Sequence, residues 1–129
     1  MERDRGRASS DGPAPIYRLK ADFFRVLGHP ARVRILELLR DGERSVGDLQ
    51  EALGLDSSGT SQHLAAMRRQ GLLENRRSGS NVFYRVRDPR LFQLLEVAKQ
   101  VLTSRLEETR SLLGDLANVD FERSVGRKH

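Results

Sequence analysis

Cysteine and tryptophan are absent from this 129-residue sequence, and aromatic residues make up only 5% of it. Without cysteine the chain has no disulfide, no thiolate nucleophile and no sulfur ligand for a metal. No stretch approaches the roughly 18 apolar residues that cross a bilayer, and the first fifteen residues lack the apolar segment of a secretory signal. We therefore expect a soluble, cytoplasmic protein of one domain, with no membrane partner.

Lysine is also scarce, because 20 of the 23 basic residues are arginine. A GC-rich genome produces this bias, but arginine is also the residue whose guanidinium forms paired hydrogen bonds with phosphates and guanine edges. Between residues 57 and 87, six arginines stand against one acid, Glu74, so this segment has a net charge of +5, equal to that of the whole chain. Positive charge confined to one segment favours a nucleic-acid-binding surface over a generally solvated basic face.

The apolar spacing of residues 16–118 predicts one mainly α-helical domain with a small β-hairpin. Its flanks, residues 1–15 and 119–129, are poor in apolar side chains, so we expect a disordered N-terminal arm and a flexible tail. The predicted helices span residues 16–28, 30–40, 46–53, 57–70 and 90–118.

The middle of the domain has the pattern of a helix-turn-helix. Ser45 is of a residue type that begins helices and Gly54 of one that ends them, and Asp56 or Ser57 is expected to cap the next helix. A short helix, a tight turn with glycine and a second helix with a polar start form this motif. After it, alternating apolar residues and a Ser/Gly/Asn cluster predict a hairpin over residues 74–86.

The last predicted helix, residues 90–118, would be about 40 Å long, longer than so small a domain can cover. Its apolar positions recur in steps of three and four, so we expect a partner helix, most simply from a second copy of the chain. The predicted dimer interface, including the first helix, consists of Ile16, Leu19, Phe23, Leu91, Leu95, Ala98, Leu102, Leu106 and Leu113.

Several segments in unbroken order resemble the ArsR/SmtB family of bacterial winged-helix repressors. They include GHPARVRIL at residues 28–36, SQHL at 61–64 and RRSG at 76–79, and the resemblance extends over about residues 16–118. It implies a dimeric winged helix-turn-helix with five helices and a hairpin before the last one. It also implies that the first and last helices form the dimer interface and that the fourth helix enters the major groove of double-stranded DNA.

Residue chemistry agrees with such a role for helix 57–70 and for the 74–86 wing. Small hydroxyls at a helix start allow close approach, and the free backbone N–H groups there favour phosphates. Gln62 has the chemistry to bind adenine bidentately, worth about 1–3 kcal/mol of discrimination. Gly59 costs about 1 kcal/mol relative to alanine, which close approach to DNA or chance would explain. The predicted DNA contacts are Ser57, Ser58, Thr60, Ser61, Gln62, His63, Arg68, Arg76, Arg77, Ser80 and Asn81.

Simpler roles compete with some of these assignments. The hydroxyl groups at the helix start could serve only as local caps, and Arg76 and Arg77 could be ordinary solvated residues of a strand.

The sequence lacks the metal-sensing cysteines of some relatives, since Ser45 and Gly47 stand at the matching positions. The predicted last helix has no histidine, so we expect neither a metal nor a cofactor. A nickel or zinc sensor with His and carboxylate ligands stays an alternative, as does a winged helix that binds another protein. The effector stays open between a small molecule, a protein partner and none. The histidines are scattered at His29, His63 and His129.

Catalysis is not expected. Ser61 and His63 are two residues apart on a helix, so their side chains point in different directions and do not form a nucleophile–base pair. No paired carboxylates fall on a common apolar cleft face, and no phosphate-binding glycine loop occurs. The sequence therefore predicts a homodimeric repressor that binds a pseudo-palindromic operator.

Overall fold

The structure, a computed structural model, describes the backbone of residues 14–128 and the side chains of residues 14–118. Most of the predicted arm and the side chains of the predicted tail thus lie outside the described residues. The elements are α1 (Ile16–Leu27), α2 (Pro30–Leu38), a 3₁₀ turn (Leu39–Asp41), β1 (Arg44–Ser45), α3 (Val46–Leu53), α4 (Ser57–Arg69), β2 (Leu73–Ser78), β3 (Asn81–Val86) and α5 (Arg90–Lys128).

The predicted mainly helical architecture with a small sheet is confirmed, with one addition to the sheet. The described strands form an antiparallel sheet in the order β1-β3-β2, in which Ser45 pairs with Phe83 and Arg44 with Tyr84. Strand β1 was missed because two residues are too short to show an alternating pattern. It ties the segment before α3 to the hairpin, so the hairpin is anchored on the helix-turn-helix.

Short side-chain caps define the helix-turn-helix. Ser45 Oγ accepts a hydrogen bond from the backbone N–H of Asp48 at 3.1 Å, as an N-cap residue does. Helix α3 ends at Gly54, whose φ of 68° lies in the left-handed region that favours glycine. Of the two candidates for the next cap, Asp56 is the one observed, because its Oδ1 accepts from the N–H of Gly59 at 2.8 Å.

The winged unit, which we define as residues 14–89, forms one of two compact units of the chain. Its core lies between α2, α3, α4 and the start of the hairpin. The side chains that are almost completely buried there are Ile35, Leu36, Leu49, Thr60, Leu64, Met67 and Leu73. Since the apolar members come from four elements, the core fixes the helix-turn-helix and the hairpin as one body.

Helix α5 is the second compact unit and has 39 residues. It runs ten residues beyond the predicted end at residue 118. The prediction stopped there because residues 119–128 show no apolar stripe, but they also contain no proline that would break the helix. From Val97 to Asn118 its side chains are exposed. In the part of the chain that the structure describes, no helix is both long enough and apolar enough to span a membrane.

Candidate nucleic-acid interface

The first turns of α4 present a polar, exposed face. Ser57, Ser58, Ser61 and Gln62 are all exposed, and their spacing of three and four residues places them on one side of the helix. Four of the predicted contacts therefore lie together. The backbone N–H groups of the same turn are those that an α-helix leaves without an intrahelical acceptor.

Thr60 does not join this face, because it is completely buried. It lies on the inner side of α4 with Leu64 and Met67, four and seven residues further along the helix. Its Oγ1 has no hydrogen-bond partner among the residues described. We therefore remove Thr60 from the predicted DNA contacts, since a buried side chain is out of reach of a base or phosphate. The helical spacing to Leu64 and Met67 was the signal in the sequence.

Gly59 has an explanation within the protein. A Cβ at this position would lie 2.8 Å from Asp56 Oδ1, the oxygen that caps α4. Such a distance is shorter than van der Waals contact allows, so a side chain would displace the cap. The glycine is accounted for by the capping geometry without an approach to DNA.

His63 is half-buried and contacts α2. Its Nδ1 accepts a hydrogen bond from Arg32 Nε at 3.0 Å, and its ring centroid lies 4.3 Å from that of His29. Burial, followed by the charges of His29 and Arg32, lowers the pKa of His63 below its ordinary value of 6.5. The structure thus separates His63 from the exposed face to which the sequence assigned it.

Arg76 and Arg77 lie on opposite faces of the wing, because neighbouring residues of a strand alternate. Arg76 Nε donates to both carboxylate oxygens of Glu43, at 3.0 and 3.1 Å, and Arg76 Nη2 also donates to Glu43. The guanidinium carbon of Arg76 lies 4.6 Å from the ring centroid of Phe83. Glu43 and Phe83 thus hold Arg76 against the protein.

The face of the wing with Arg76 has its charges matched. Hydrogen bonding to Arg76 holds the pKa of Glu43 below its usual value, and the same bond raises that of Arg76. Beside them, Arg85 pairs with Glu74 at 3.5 Å. A shallow depression of about 420 Å³ is lined by Glu43, Glu74, Asn75, Arg76, Phe83 and Arg85. Its charged groups are already paired with each other.

Arg77 lies on the other face of the wing, beside Val82, which pairs with it across the strands. The tip of the hairpin is the two-residue loop Gly79–Ser80, and Gly79 has a φ of 63°. Glycine at the first loop position is what a type II′ hairpin turn requires. Ser80 and Asn81 are exposed at this tip, and Arg68 is exposed in the last turn of α4.

The predicted interface residues differ in exposure. In α1, Ile16 and Leu19 are exposed and Phe23 is half-buried. In α5, Leu91 is buried and Leu95 half-buried. The remaining predicted residues of α5 are exposed: Ala98, Leu102, Leu106 and Leu113.

Further exposed apolar side chains were missed by the sequence analysis. They are Tyr17 and Phe24 in α1 and Val97, Val101 and Leu112 in α5. Spacing alone does not separate them from residues of a core. Within the described side chains, no group of three or more His, Asp or Glu residues is placed to hold a metal ion.

Comparison with known proteins places this geometry in a family. Residues 29–75 match the family described as bacterial regulatory protein, arsR family. The chain is 47% identical over 103 residues to Rv0081 of Mycobacterium tuberculosis, named an uncharacterized HTH-type transcriptional regulator, with 79% of this chain and 90% of that protein covered. The chain belongs to the ArsR family. It is therefore a winged helix-turn-helix transcription regulator that binds DNA, and not an enzyme.

Solved structures of similar proteins have the same fold. The crystal structure of Rv0081 matches with a TM-score of 0.68 over 74% of this chain and 96% of that one. The homodimeric winged helix-turn-helix DNA-binding domain Mb0332 from Mycobacterium bovis is 31% identical, with a TM-score of 0.63 over 70% and 86% of the two chains.

The biofilm growth-associated repressor of Xylella fastidiosa is a further relative by sequence. It is 35% identical over 75 residues, which cover 58% of this chain and 66% of that protein.

Proposed function

We propose that this ArsR-family regulator is a repressor that binds a pseudo-palindromic operator as a homodimer. Helix α4 enters the major groove, and the β2–β3 wing lies on the flanking backbone. The observation that carries the proposal is the exposed face of Ser57, Ser58, Ser61 and Gln62 at the start of α4. Its small hydroxyls admit the DNA backbone, and Gln62 has the chemistry to bind adenine.

Exposed arginines at the end of α4 and in or beside the wing support the proposal. Within residues 14–118, no carboxylate lies within ion-pair distance of Arg68, Arg69, Arg77 or Arg87. Each is exposed, so each can neutralise a phosphate without first giving up a partner. Arginines of this kind supply affinity that depends on salt but carries no information about sequence.

The exposed apolar side chains of α1 and α5 support the homodimer. Val97, Val101, Leu102 and Leu106 are each more than half exposed in the single chain, and a second copy is the simplest surface to cover them. The relative Mb0332 is described as homodimeric. A twofold dimer presents two α4 helices to two half-sites about 34–36 Å apart, which is why the operator is expected to be pseudo-palindromic.

The experiment that tests the proposal is a footprint of the protein on the DNA upstream of its own gene. We expect two protected half-sites related by symmetry and an affinity that falls steeply as salt is raised. Protection of one unpaired site would contradict the dimeric arrangement. Absence of any protection at low salt would favour the alternative of a winged helix that binds another protein.

Base recognition is tested separately with Gln62→Ala. We expect it to weaken binding to the operator by about 1–3 kcal/mol and to leave binding to a scrambled sequence nearly unchanged. Arg77→Ala is the matched control, because loss of a phosphate contact weakens binding to both sequences equally. Equal losses for Gln62→Ala on both sequences would refute its role in base recognition. Release of the DNA by nickel or zinc would overturn the expectation that the protein has no metal site.

A further inference from the structure

One guanidinium joins three helices of the winged unit. Arg32, near the start of α2, donates from Nε to His63 Nδ1 of α4 at 3.0 Å and from Nη1 to the carbonyl oxygen of Val26 at 3.2 Å. Both hydrogen bonds are partly buried. Val26 lies in the last turn of α1, where carbonyl groups have no intrahelical partner. The planar fork of arginine makes both bonds at once, as the single ammonium group of a lysine does not.

The hydrogen bond fixes the protonation state of His63. Because Nδ1 accepts from a permanently charged group, it carries no proton, and the neutral ring bears its hydrogen on Nε2. Protonation of Nδ1 would place an N–H group against the N–H of Arg32 and break the bond. His29 lies on the other side, with its ring tilted by 58° to that of His63.

The surroundings of His63 oppose protonation. Helices α1, α2 and α3 and strand β2 all pack against α4. Of the ionisable groups that the structure describes, those acting on His63 are Arg32 and His29, both from the start of α2, and both are basic. Their charges and the partial burial of the ring lower the pKa of His63.

The Arg32–His63 hydrogen bond is directional, whereas the apolar contacts that hold α4 in the core are not. Leu64 and Met67 hold the inner side of the helix by burial, which is non-directional and tolerates small rotations. A hydrogen bond has a preferred distance and angle. The Arg32–His63 bond therefore restricts rotation of α4 about its axis, and Gln62, the neighbouring residue, lies on the exposed face.

We propose that Arg32 and His63 are positioning residues for DNA binding: the neutral imidazole, held by Arg32, sets the orientation of the exposed face of α4, and protonation releases it. The proposal rests on the proposed function and adds proton-dependent control to it. His63 acts through Arg32 and makes no contact with DNA.

The direction of the pH effect distinguishes positioning from contact. A histidine that contacts phosphate gains positive charge as pH falls, so DNA binding strengthens on acidification. A histidine that positions α4 in its neutral form loses its bond as pH falls, so DNA binding weakens. The two roles therefore predict opposite slopes over the same range.

The test measures the affinity of the full chain for its operator from about pH 7.5 to about pH 5.5 at constant salt. We expect the affinity of the wild-type protein to fall over this range, by less than about tenfold per protomer because the pKa of His63 is lowered from its ordinary value. In His63→Asn, Oδ1 stands near the place of Nδ1 and accepts from Arg32 but does not titrate. This variant is expected to bind the operator with nearly the same affinity at both ends of the pH range.

Two further variants complete the test. Arg32→Lys keeps the charge but not the fork, so we expect weaker binding throughout the range. His29→Asn is the matched control, because asparagine is a good N-cap residue, and it is expected to keep the fall on acidification. Circular dichroism at each pH confirms that every variant is folded.

Three outcomes would overturn the inference. The first is binding that strengthens on acidification, and the second is a His63→Asn variant with the pH dependence of the wild type. The third is a His29→Asn variant whose affinity for the operator no longer falls on acidification. If the wild-type protein binds no DNA at the higher pH, the proposed function itself fails and this inference fails with it. If binding is retained and only the pH behaviour differs, the inference alone is refuted.

Discussion

The winged unit and helix α5 differ in how far their apolar side chains are exposed. In the winged unit, leucine and isoleucine side chains such as Ile35, Leu36 and Leu64 are almost completely buried. In α5, the large apolar side chains between Val97 and Leu116 are more than half exposed. The same residue types thus stabilise one unit from within and leave the other with a surface to cover. The difference supports the proposed homodimer, in which a second copy covers the exposed side chains of α5.

The largest expected effect comes from placing charge on the exposed stripe of α5. We expect the double variant Leu102→Glu/Leu106→Glu to be monomeric, because each leucine that a dimer would bury contributes about 1.5–3 kcal/mol. Each substitution also occurs twice in a twofold dimer. Sedimentation at micromolar concentration measures the change. Gln100→Glu is the control, since it adds a charge to another side of the same helix. A dimer that persists in the double variant would exclude this stripe as the interface.

The next effect concerns the core of the winged unit. Leu36→Ala removes a completely buried side chain and is expected to lower the free energy of unfolding by about 2–5 kcal/mol. Leu113→Ala, made in the monomeric double variant, is expected to change it by less than about 0.5 kcal/mol. Urea denaturation followed by circular dichroism compares the two. Comparable losses would mean that α5 is buried within the single chain.

A smaller effect is expected at Thr60, where a polar group lies within the apolar core. Thr60→Val keeps the shape of the side chain and removes the Oγ1 that has no partner among the described residues. We expect stabilisation by about 1 kcal/mol, measured by thermal or urea unfolding. Ser61→Ala, at the exposed neighbour, serves as the control and is expected to leave stability nearly unchanged. If Thr60→Val destabilises the protein, the hydroxyl has a partner in solution.

The smallest expected effect is a difference in the salt dependence of DNA binding between variants of the adjacent wing arginines, Arg76 and Arg77. Arg77→Ala is expected to lower the salt dependence of DNA binding by about one phosphate contact, whereas Arg76→Ala leaves it nearly unchanged, because Glu43 already holds Arg76. Plots of log affinity against log salt concentration measure both slopes. Equal reductions would show that Arg76 leaves Glu43 when DNA binds.

The five helices and most of their starts followed from the sequence because the signals that begin them are local, whereas the end of α5 was placed ten residues too early. Ser45, Gly54 and Asp56 cap or end helices through contacts with residues three or four positions away. Strand β1 could not be found in this way. Its two residues form a strand only because Tyr84 and Phe83, about forty residues later, supply the partner backbone.

The candidate interface could be predicted as a region but not residue by residue. The start of α4 and the wing were identified, and most of their polar residues are exposed. Thr60, His63 and Arg76 have the right chemistry for DNA contact, but other parts of the chain determine their surroundings. The core encloses Thr60, Arg32 binds His63, and Glu43 holds Arg76. Composition and charge do not encode these pairings.

The alternation of the wing strand has an evolutionary consequence. Arg76 and Arg77 are identical in type, and only the pairing of β2 with β3 decides which of them is bound to Glu43 and which stays unpaired on the opposite face. A one-residue shift in that pairing would exchange faces along the whole strand. An insertion or deletion of one uncharged residue in the hairpin could thus change the direction in which the wing presents its charge. Net charge and isoelectric point would stay the same, so a comparison of relatives by composition would not detect the change.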